Sequence, residues 1–469
     1  MITHPATERQ HAIAVENPAH GEVFAHAPAC SPQRLDTVLR EASLARPAWS
    51  ALPVRRRAAH LRECGSALAA RAEEVAELLT REQGKPLRDA RAEVRLACDW
   101  FGHTARLCPG ADRLVDDAAA HITLNRVPHG VVAAIAPSNF PLVLAVCKIA
   151  PALLAGNTVV LKPSPDTPLS SLLMGEALRD ALPPGVLTVV AGDAALGAAL
   201  TGHPAVRLIS FTGSVATGRT IARTAAGDFK RVVLELGGND AAIVLPGADT
   251  ETVARELFRR ALVNSGQFCA AVKRVYVPRR QHRRLTEVLG ELALSVTLGD
   301  GMDPATDLGP LISRAQLDRV TVLVDGAVRA GARIVAGGGA PDGPGHFYRP
   351  TVVTDLPPGT GLELDEQFGP VIPVIAYDEP AEAVERVGSS PYALGCSVWG
   401  EESAARELAR SVDCGTVWIN THGDLRHDVP FGGHGQSGLG VEYGYWGLLE
   451  YTQMKIEHIA RHEGDQKKP

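Results

Sequence analysis

The stretch Asn264-Ser265-Gly266-Gln267-Phe268-Cys269-Ala270 places a cysteine between a glycine- and glutamine-bearing turn and an alanine. That setting suits attack on an electrophile better than it suits packing. The thiolate is the reactive form, and a free thiol with a pKa of about 8.5 needs help from its surroundings to reach it. An isolated cysteine is also a common inert core residue, so the rest of the chain has to supply the partners for covalent catalysis.

Further stretches carry residue types that could serve. They are Pro137-Ser138-Asn139-Phe140-Pro141, Lys162-Pro163-Ser164, Phe211-Thr212-Gly213-Ser214, Leu234-Glu235-Leu236-Gly237-Gly238, Glu366-Gln367-Phe368-Gly369-Pro370, and Pro430-Phe431-Gly432-Gly433 running on to Ser437-Gly438. Several sit where short β-branched runs end. Asn139 follows Val131 to Ala136, Lys162 follows Thr158 to Leu161, Gly213-Ser214 follows Val206 to Phe211, and Glu235 closes Arg231 to Leu236; Val186 to Val190 is a further run of this kind. Such runs alternating with helix-like stretches predict a parallel sheet covered on both faces, with its ligand crevice at the carboxyl ends of the strands.

Upstream, Leu35 to Arg46 and Pro53 to Glu82 are alanine-rich and amphipathic and are expected to pack on this sheet. A second α/β pattern starts near Lys273 and continues to about Asn420, with turns at Gly337-Gly338-Gly339 and Pro341 to Gly345. His121 to Arg126 and Leu449 to Ile459 alternate like edge strands, suited to pairing with each other or with another subunit.

At 469 residues the chain is expected to form two or three domains. With 47 Lys and Arg against 53 Asp and Glu, a net charge of −6 and no long run of either sign, nucleic acid is not an expected partner. Cys30, Cys64, Cys98, Cys108, Cys147, Cys269, Cys396 and Cys414 form no CxxC pair or Cys/His cluster, so neither a metal site nor a disulfide framework is expected. Met1 to Gln10 shows no secretory signal, which makes the cytoplasm the expected location. The apolar stretch Val131 to Leu161 is long enough to cross a bilayer, but Pro137, Pro141, Pro151, Asn139 and Lys148 favour a buried strand followed by a core helix. The tail Gly464 to Pro469 is expected to be disordered.

Taken together and in order, the motifs resemble those of the NAD(P)-dependent aldehyde dehydrogenase family, over about Asn17 to Lys455. The resemblance implies an α/β fold: a Rossmann-type NAD-binding domain (1–107 and 128–236), a second α/β catalytic domain (237–440), and a small β oligomerisation flap (108–127 and 441–469). It implies a homodimer or homotetramer with NAD, or NADP, as cofactor, no metal, and a small aldehyde as substrate.

By the same resemblance, Cys269 is the nucleophile and Asn139 an oxyanion donor, an Asx turn before Pro141 being the reading of Asn139 taken alone. Glu235 matches the general base that releases the acid from the thioester, with Gly237-Gly238 allowing close backbone approach. Lys148 and Glu442 match its proton-relay partners, a surface salt bridge being the other reading. Lys162 and Ser164 match residues at the adenosine ribose, Glu366 the acid on the nicotinamide ribose, and Phe368 the aromatic that buttresses the ring. Gly213 and Ser214 open a helix-like segment that suits a pyrophosphate, or a plain helix cap.

Three positions depart from the family pattern. Ser138 replaces a common tryptophan, Gly435 a common lysine, and Pro165 a glutamate typical of NAD-preferring members, so NADP stays open. The substrate tunnel would be lined by Leu144, Cys147, Phe268, Ala270, Leu425 and Phe431. Cys147 is either a plain lining thiol or a partner for an oxidised Cys269. The loop bearing His422, Asp424, Arg426, His427 and Asp428 is either a contact for a polar substrate or a solvated surface. Gly433-His434-Gly435-Gln436-Ser437-Gly438 is a GxGxxG, but without a strand-helix unit and a later acid it is not a dinucleotide fingerprint. The resemblance makes it a loop beside the substrate mouth. A coenzyme A-acylating enzyme and a catalytically silent binding protein are the competing readings; Glu235 disfavours the first, and its retention together with Cys269 and Asn139 disfavours the second.

Overall fold

A computed structural model describes residues 12–461. The stretch read for a secretory signal and the tail Gly464 to Pro469 lie outside the described residues. The first sheet has the strand order Gly438–Leu439, Arg231–Glu235, Val206–Thr212, Val131–Ile135, Thr158–Lys162, Leu187–Val189. All neighbours are parallel except Gly438–Leu439, which runs antiparallel to Arg231–Glu235. The five runs read from the sequence are these strands, to within a residue or so at each end.

The central strands are apolar on both faces because helices cover both. Val131 and Ala133 face a cluster with Leu35, Leu39, Leu200 and Ile221, from helices Pro32–Ala51, Ala194–Gly202 and Val215–Gly227. Val132 and Ala134 face the opposite way, into a cluster with Leu61, Leu79, Val94 and Phe101 from Val54–Ala69, Ala72–Gln83 and Leu87–Thr104. That alternation is the period of two of a pleated strand. Helix Pro141–Ala155 joins the second cluster and is buried along nearly its whole surface, so it is apolar all round except for Lys148. It opens on a proline and stops at Gly156, whose φ of 100° is the left-handed cap that glycine adopts freely. This strand and helix account for the apolar stretch from Val131, and no helix among the described residues is long and apolar enough to cross a membrane.

The chain winds outward in both directions from Val131–Ile135, so the sheet's switch point lies between that strand and Val206–Thr212. Ligand crevices form at such points, outside the carboxyl ends of the strands.

The second sheet has the order Arg333–Ala336, Thr351–Thr354, Val371–Tyr377, Arg274–Pro278, Ala241–Val244, Gly395–Trp399, Thr416–Ile419. It starts one strand earlier than the pattern near Lys273 suggested; Ala241–Val244 is only four residues long and follows Glu235 too closely to stand out. The outer strand Arg333–Ala336 is antiparallel and the other pairs are parallel. Arg314–Arg329 and Pro380–Gly388 cover one face, Thr250–Ala261 and Arg279–Leu294 the other.

A separate antiparallel sheet runs Thr452–Ala460, Ala120–Pro128, Asp112–Asp116. The two segments read as edge strands pair with each other, from Thr452 opposite Pro128 to Ala460 opposite Ala120. Pro53 to Glu82 is two helices rather than one, Val54–Ala69 and Ala72–Gln83. Arg71 leaves the helical range between them (φ −114°, ψ 18°) and pairs with Glu74 at 2.9 Å. No glycine or proline marks the break; the bend lets both Leu68 and Val75 reach the core.

Candidate active site

Cys269 lies on the turn that links helix Thr250–Ala261 to strand Arg274–Pro278, and this turn is strained. Asn264, Ser265 and Gly266 have φ of 51°, 56° and 75°, a left-handed run that L side chains rarely adopt. At Gly266 a Cβ would fall on the carbonyl oxygen of Gly369, so only glycine fits. Surrounding bonds hold the turn in place. Ser265 Oγ donates to Gly309 O at 2.7 Å, Lys273 Nζ to Gly266 O at 2.6 Å, and Ile312 N–H to Gln267 Oε1 at 2.8 Å.

Asn139 arrives from the end of strand Val131–Ile135, and its Nδ2 donates to Gln267 O at 2.9 Å, two residues before Cys269. It is buried, with its side chain directed at the cysteine turn rather than closing an Asx turn on its own backbone. Glu235 ends its strand opposite Thr212, and Gly213 N–H donates to Glu235 O at 3.0 Å. Its carboxylate is buried and Oε1 has no hydrogen-bond partner.

Beside it, Lys148 and Glu442 form a wholly buried ion pair, not a surface one, and Lys148 Nζ also donates to Thr212 Oγ1 at 2.7 Å. Burial, then the Glu442 charge, pushes the Glu235 carboxyl well above its ordinary range, and Lys148 works against both. The Cys269 thiol is likewise raised, by burial first and then by Glu235, Glu366 and Asp240; Lys273 opposes this. In the resting site the sulfur therefore holds its proton, and the Glu235 carboxyl, with an oxygen that has no hydrogen-bond partner, stands near it.

The expected tunnel residues converge. Leu144, Cys147, Phe268, Ala270, Leu425 and Phe431 share one apolar cluster with Cys269. Phe140 meets Phe268 edge-on with ring centroids 5.5 Å apart, and Phe431 stacks on Tyr443 at 5.9 Å. Cys147 is buried with its thiol raised by burial, which suits a lining group and not a reactive one. Trp100 and Tyr443, with ring centroids 4.8 Å apart, belong to the same cluster and were not singled out from the sequence, where a helix tryptophan reads as ordinary core.

The polar loop is only partly a surface. His422 is buried, its Nδ1 bonded to Ser397 Oγ at 2.8 Å and its Nε2 3.8 Å from Asp240; burial lowers its pKa to about 3. It is a core histidine, not a substrate contact. Arg426 pairs with Asp428 at 2.8 Å in solvent, and His427 stacks on His103 with centroids 3.3 Å apart.

On the sheet's other flank, Ser214 caps helix Val215–Gly227 by accepting from Thr217 N–H at 3.2 Å. Gly213 and Gly218 have no room for a Cβ, against Phe211 and Leu236. Lys162 is buried and its ammonium makes only a 3.3 Å contact to Pro163 O, leaving donors free. Ser164 Oγ donates to Asp166 Oδ2 at 3.2 Å, so a carboxylate does stand next to the exposed Pro165, one residue further along the chain.

Glu366 accepts from Gly238 N–H at 3.4 Å, and a Cβ on Gly237 would collide with it. Burial raises its carboxyl to about 7 against the pull of Lys273. Phe368, at φ 48°, lies under Lys273 Nζ, 5.0 Å from the ring centroid. Free donors at Lys162, a helix start with close glycines and a carboxylate suited to a diol fit a dinucleotide along this edge. The GxGxxG loop is not part of that edge. His434–Gly435 pairs with Tyr392–Ala393, Gly438 sits opposite Glu235, and Ser437 Oγ donates to Gly237 O at 2.8 Å.

The sequence profile of the Aldehyde dehydrogenase family matches residues 5–456. The NADP(+) succinate-semialdehyde dehydrogenase GabD of Escherichia coli is 35% identical over 456 residues, covering 96% of this chain and 94% of that protein. Betaine aldehyde dehydrogenase 1 of Rhizobium meliloti is 35% identical over 451 residues, 94% of this chain and 93% of that protein. The crystal structure of lactaldehyde dehydrogenase from Escherichia coli superposes with a TM-score of 0.92 at 34% identity, covering 96% of this chain and 95% of that one. With its two covered sheets and a cysteine turn that meets Asn139 and Glu235, the chain belongs to the aldehyde dehydrogenase family.

Proposed function

We propose that this protein oxidises an aldehyde to a carboxylic acid with NAD or NADP, releasing the acid by hydrolysis. The observation that carries the reading is the convergence beside Cys269 of two segments distant in sequence, one directing the Asn139 amide at the cysteine turn and one placing the Glu235 carboxyl close to the thiol. Cys269 Sγ adds to the aldehyde carbon as its proton leaves to solvent. The new alkoxide is met by Asn139 Nδ2 and the Cys269 backbone N–H, whose combined field is strongest where water is excluded. Gln267 O, the present partner of Asn139 Nδ2, gives up that bond to the oxyanion.

A bound dinucleotide supplies the hydride acceptor. Lys162, Ser164 and Ser214 would hold its adenosine and phosphate end, and Glu366 with Phe368 its nicotinamide ribose and ring. Glu235 then takes a proton from water as that water attacks the thioester carbon, and Lys148 with Glu442 drains the proton away.

The cytoplasm and a homodimer or homotetramer remain the expected setting. The names of the relatives, a semialdehyde, a betaine aldehyde and a lactaldehyde dehydrogenase, span charged and neutral substrates. The apolar wall around Cys269 favours an aldehyde whose first carbons are uncharged. The test is absorbance at 340 nm with NAD or NADP and aliphatic, aromatic and charged aldehydes. Turnover of one class identifies substrate and cofactor together, whereas silence across the panel with dinucleotide still bound would refute the reading.

A further inference from the structure

Lys85 and Glu93 form an ion pair at 2.6 Å that is sealed from solvent at 1% and 2% side-chain exposure, and no step described so far uses it. Buried pairs are poor sources of stability, since apolar groups of equal volume do as well or better. What these two touch is more telling. Lys85 Nζ donates to Asn139 O at 2.7 Å and lies 4.0 Å over the Phe140 ring. Glu93 Oε1 accepts from the N–H groups of Leu142 at 3.0 Å and Val143 at 3.4 Å. The other side-chain hydrogen bonds of the pair, and the Lys85 ring contact, therefore all end on Asn139 to Val143.

Helix Pro141–Ala155 has no side-chain cap from its own N-cap residue, Phe140, and Glu93 takes over that duty from another helix. The Asn139 carbonyl accepts a second bond from Asn264 Nδ2 at 3.0 Å, and Asn264 opens the strained cysteine turn. One carbonyl is thus pinned from the Lys85 side and from the nucleophile side together.

We propose that Lys85 and Glu93 are positioning residues that fix the Asn139 amide against the Cys269 turn, setting the geometry of the oxyanion site. The inference rests on the oxyanion role of Asn139. A displacement of about 1 Å in such a group costs about 10²-fold in rate, which sets the expected size.

The experiment compares two reactions of the full-length protein's Cys269. With p-nitrophenyl acetate, a bond forms from Sγ to the acetyl carbon, the bond to nitrophenolate breaks, the thiol proton goes to solvent, and an oxyanion is formed on the way. With iodoacetamide, the S–C bond forms as iodide leaves and no oxyanion appears. Lys85→Met should slow acylation about 10²-fold and leave alkylation within about twofold, and Asn139→Ala/Lys85→Met should acylate no more slowly than Asn139→Ala alone.

Unchanged acylation in Lys85→Met, equal loss of both reactions, or additive losses in the double variant would overturn the proposal. If Lys85→Met does not fold, Lys85→Met/Glu93→Gln, which buries no lone charge, takes the same tests; failure of both to fold would make the pair structural and overturn the proposal too. An Asn139→Ala variant that acylates at the wild-type rate would instead sink the oxyanion reading beneath it, so the two failures are distinguishable.

Discussion

Glu235→Gln separates the two halves of the reaction and can be sized from the site itself. Glu235 Oε1 has no hydrogen-bond partner, so replacing the carboxylate with an amide breaks no known pair. The fold should survive. What disappears is the base that activates water, a contribution of about 10² to 10⁴ in rate, or about 2.7 to 5.4 kcal/mol at about 1.36 kcal/mol per decade. Rapid mixing with saturating aldehyde should still give a burst of absorbance at 340 nm, of about one reduced cofactor per active site, followed by steady-state turnover at least about 10²-fold slower.

A second readout comes from linkage. The carboxyl is raised in the folded protein, so the native state holds its proton more tightly than the unfolded chain does. This group therefore takes stability away as pH climbs from the ordinary carboxylate range, about 4.3, to its raised folded value, by about 1.36 kcal/mol for each unit. Glutamine carries no such loss. The melting temperature of Glu235→Gln relative to wild type should thus improve as pH rises through that window. An unchanged steady-state rate refutes the base assignment, and loss of the burst would show that Glu235 is needed before hydride transfer rather than after it.

Cys269→Ala should show no aldehyde oxidation while still quenching its tryptophan fluorescence on dinucleotide titration; residual turnover would remove the cysteine from the mechanism. Lys148→Met leaves Glu442 and Glu235 buried without their cation, at about 3 to 5 kcal/mol in stability, and raises the Glu235 carboxyl further. Its thermal melt should fall, and the rise of hydrolysis with pH should move to higher pH; an unshifted profile would deny the relay. Asp166→Ser removes the carboxylate beside Ser164 and should raise the kcat/KM ratio of NADP to NAD by about tenfold, or about 1.4 kcal/mol. A ratio that does not move would place the 2′-hydroxyl recognition elsewhere.

The sequence made the first sheet legible because its strands are covered on both faces, and a strand with two apolar faces announces itself in five residues. Cys269, Glu235 and Asn139 were legible for a related reason, each following an element end that its glycines and prolines mark. The Lys85 and Glu93 pair was not, since its meaning depends on a contact from Lys85 to a carbonyl 54 residues away. His422 looked like part of a charged loop, and only the fold shows that Trp418 and Ser397 enclose it. Asp166 was not legible, because Pro165 holds the position the family pattern marks, and the turn that brings the Asp166 side chain back to Ser164 is a matter of loop geometry. The break at Ala70 and Arg71 is set by packing and leaves no local signature.

The pairing of Gly438 and Leu439 with Glu235 and Leu234, with Leu236 N–H donating to Ser437 O at 2.9 Å, makes main chain from beyond the second sheet the outermost strand of the first. The two halves are therefore stitched together at the carboxylate, like cloth along a seam. A hinge at this place would have to tear peptide hydrogen bonds before it could open. Adjustment at this site is left to side chains such as Glu235, which has Gly237 and Gly238 beside it, rather than to the frame around them.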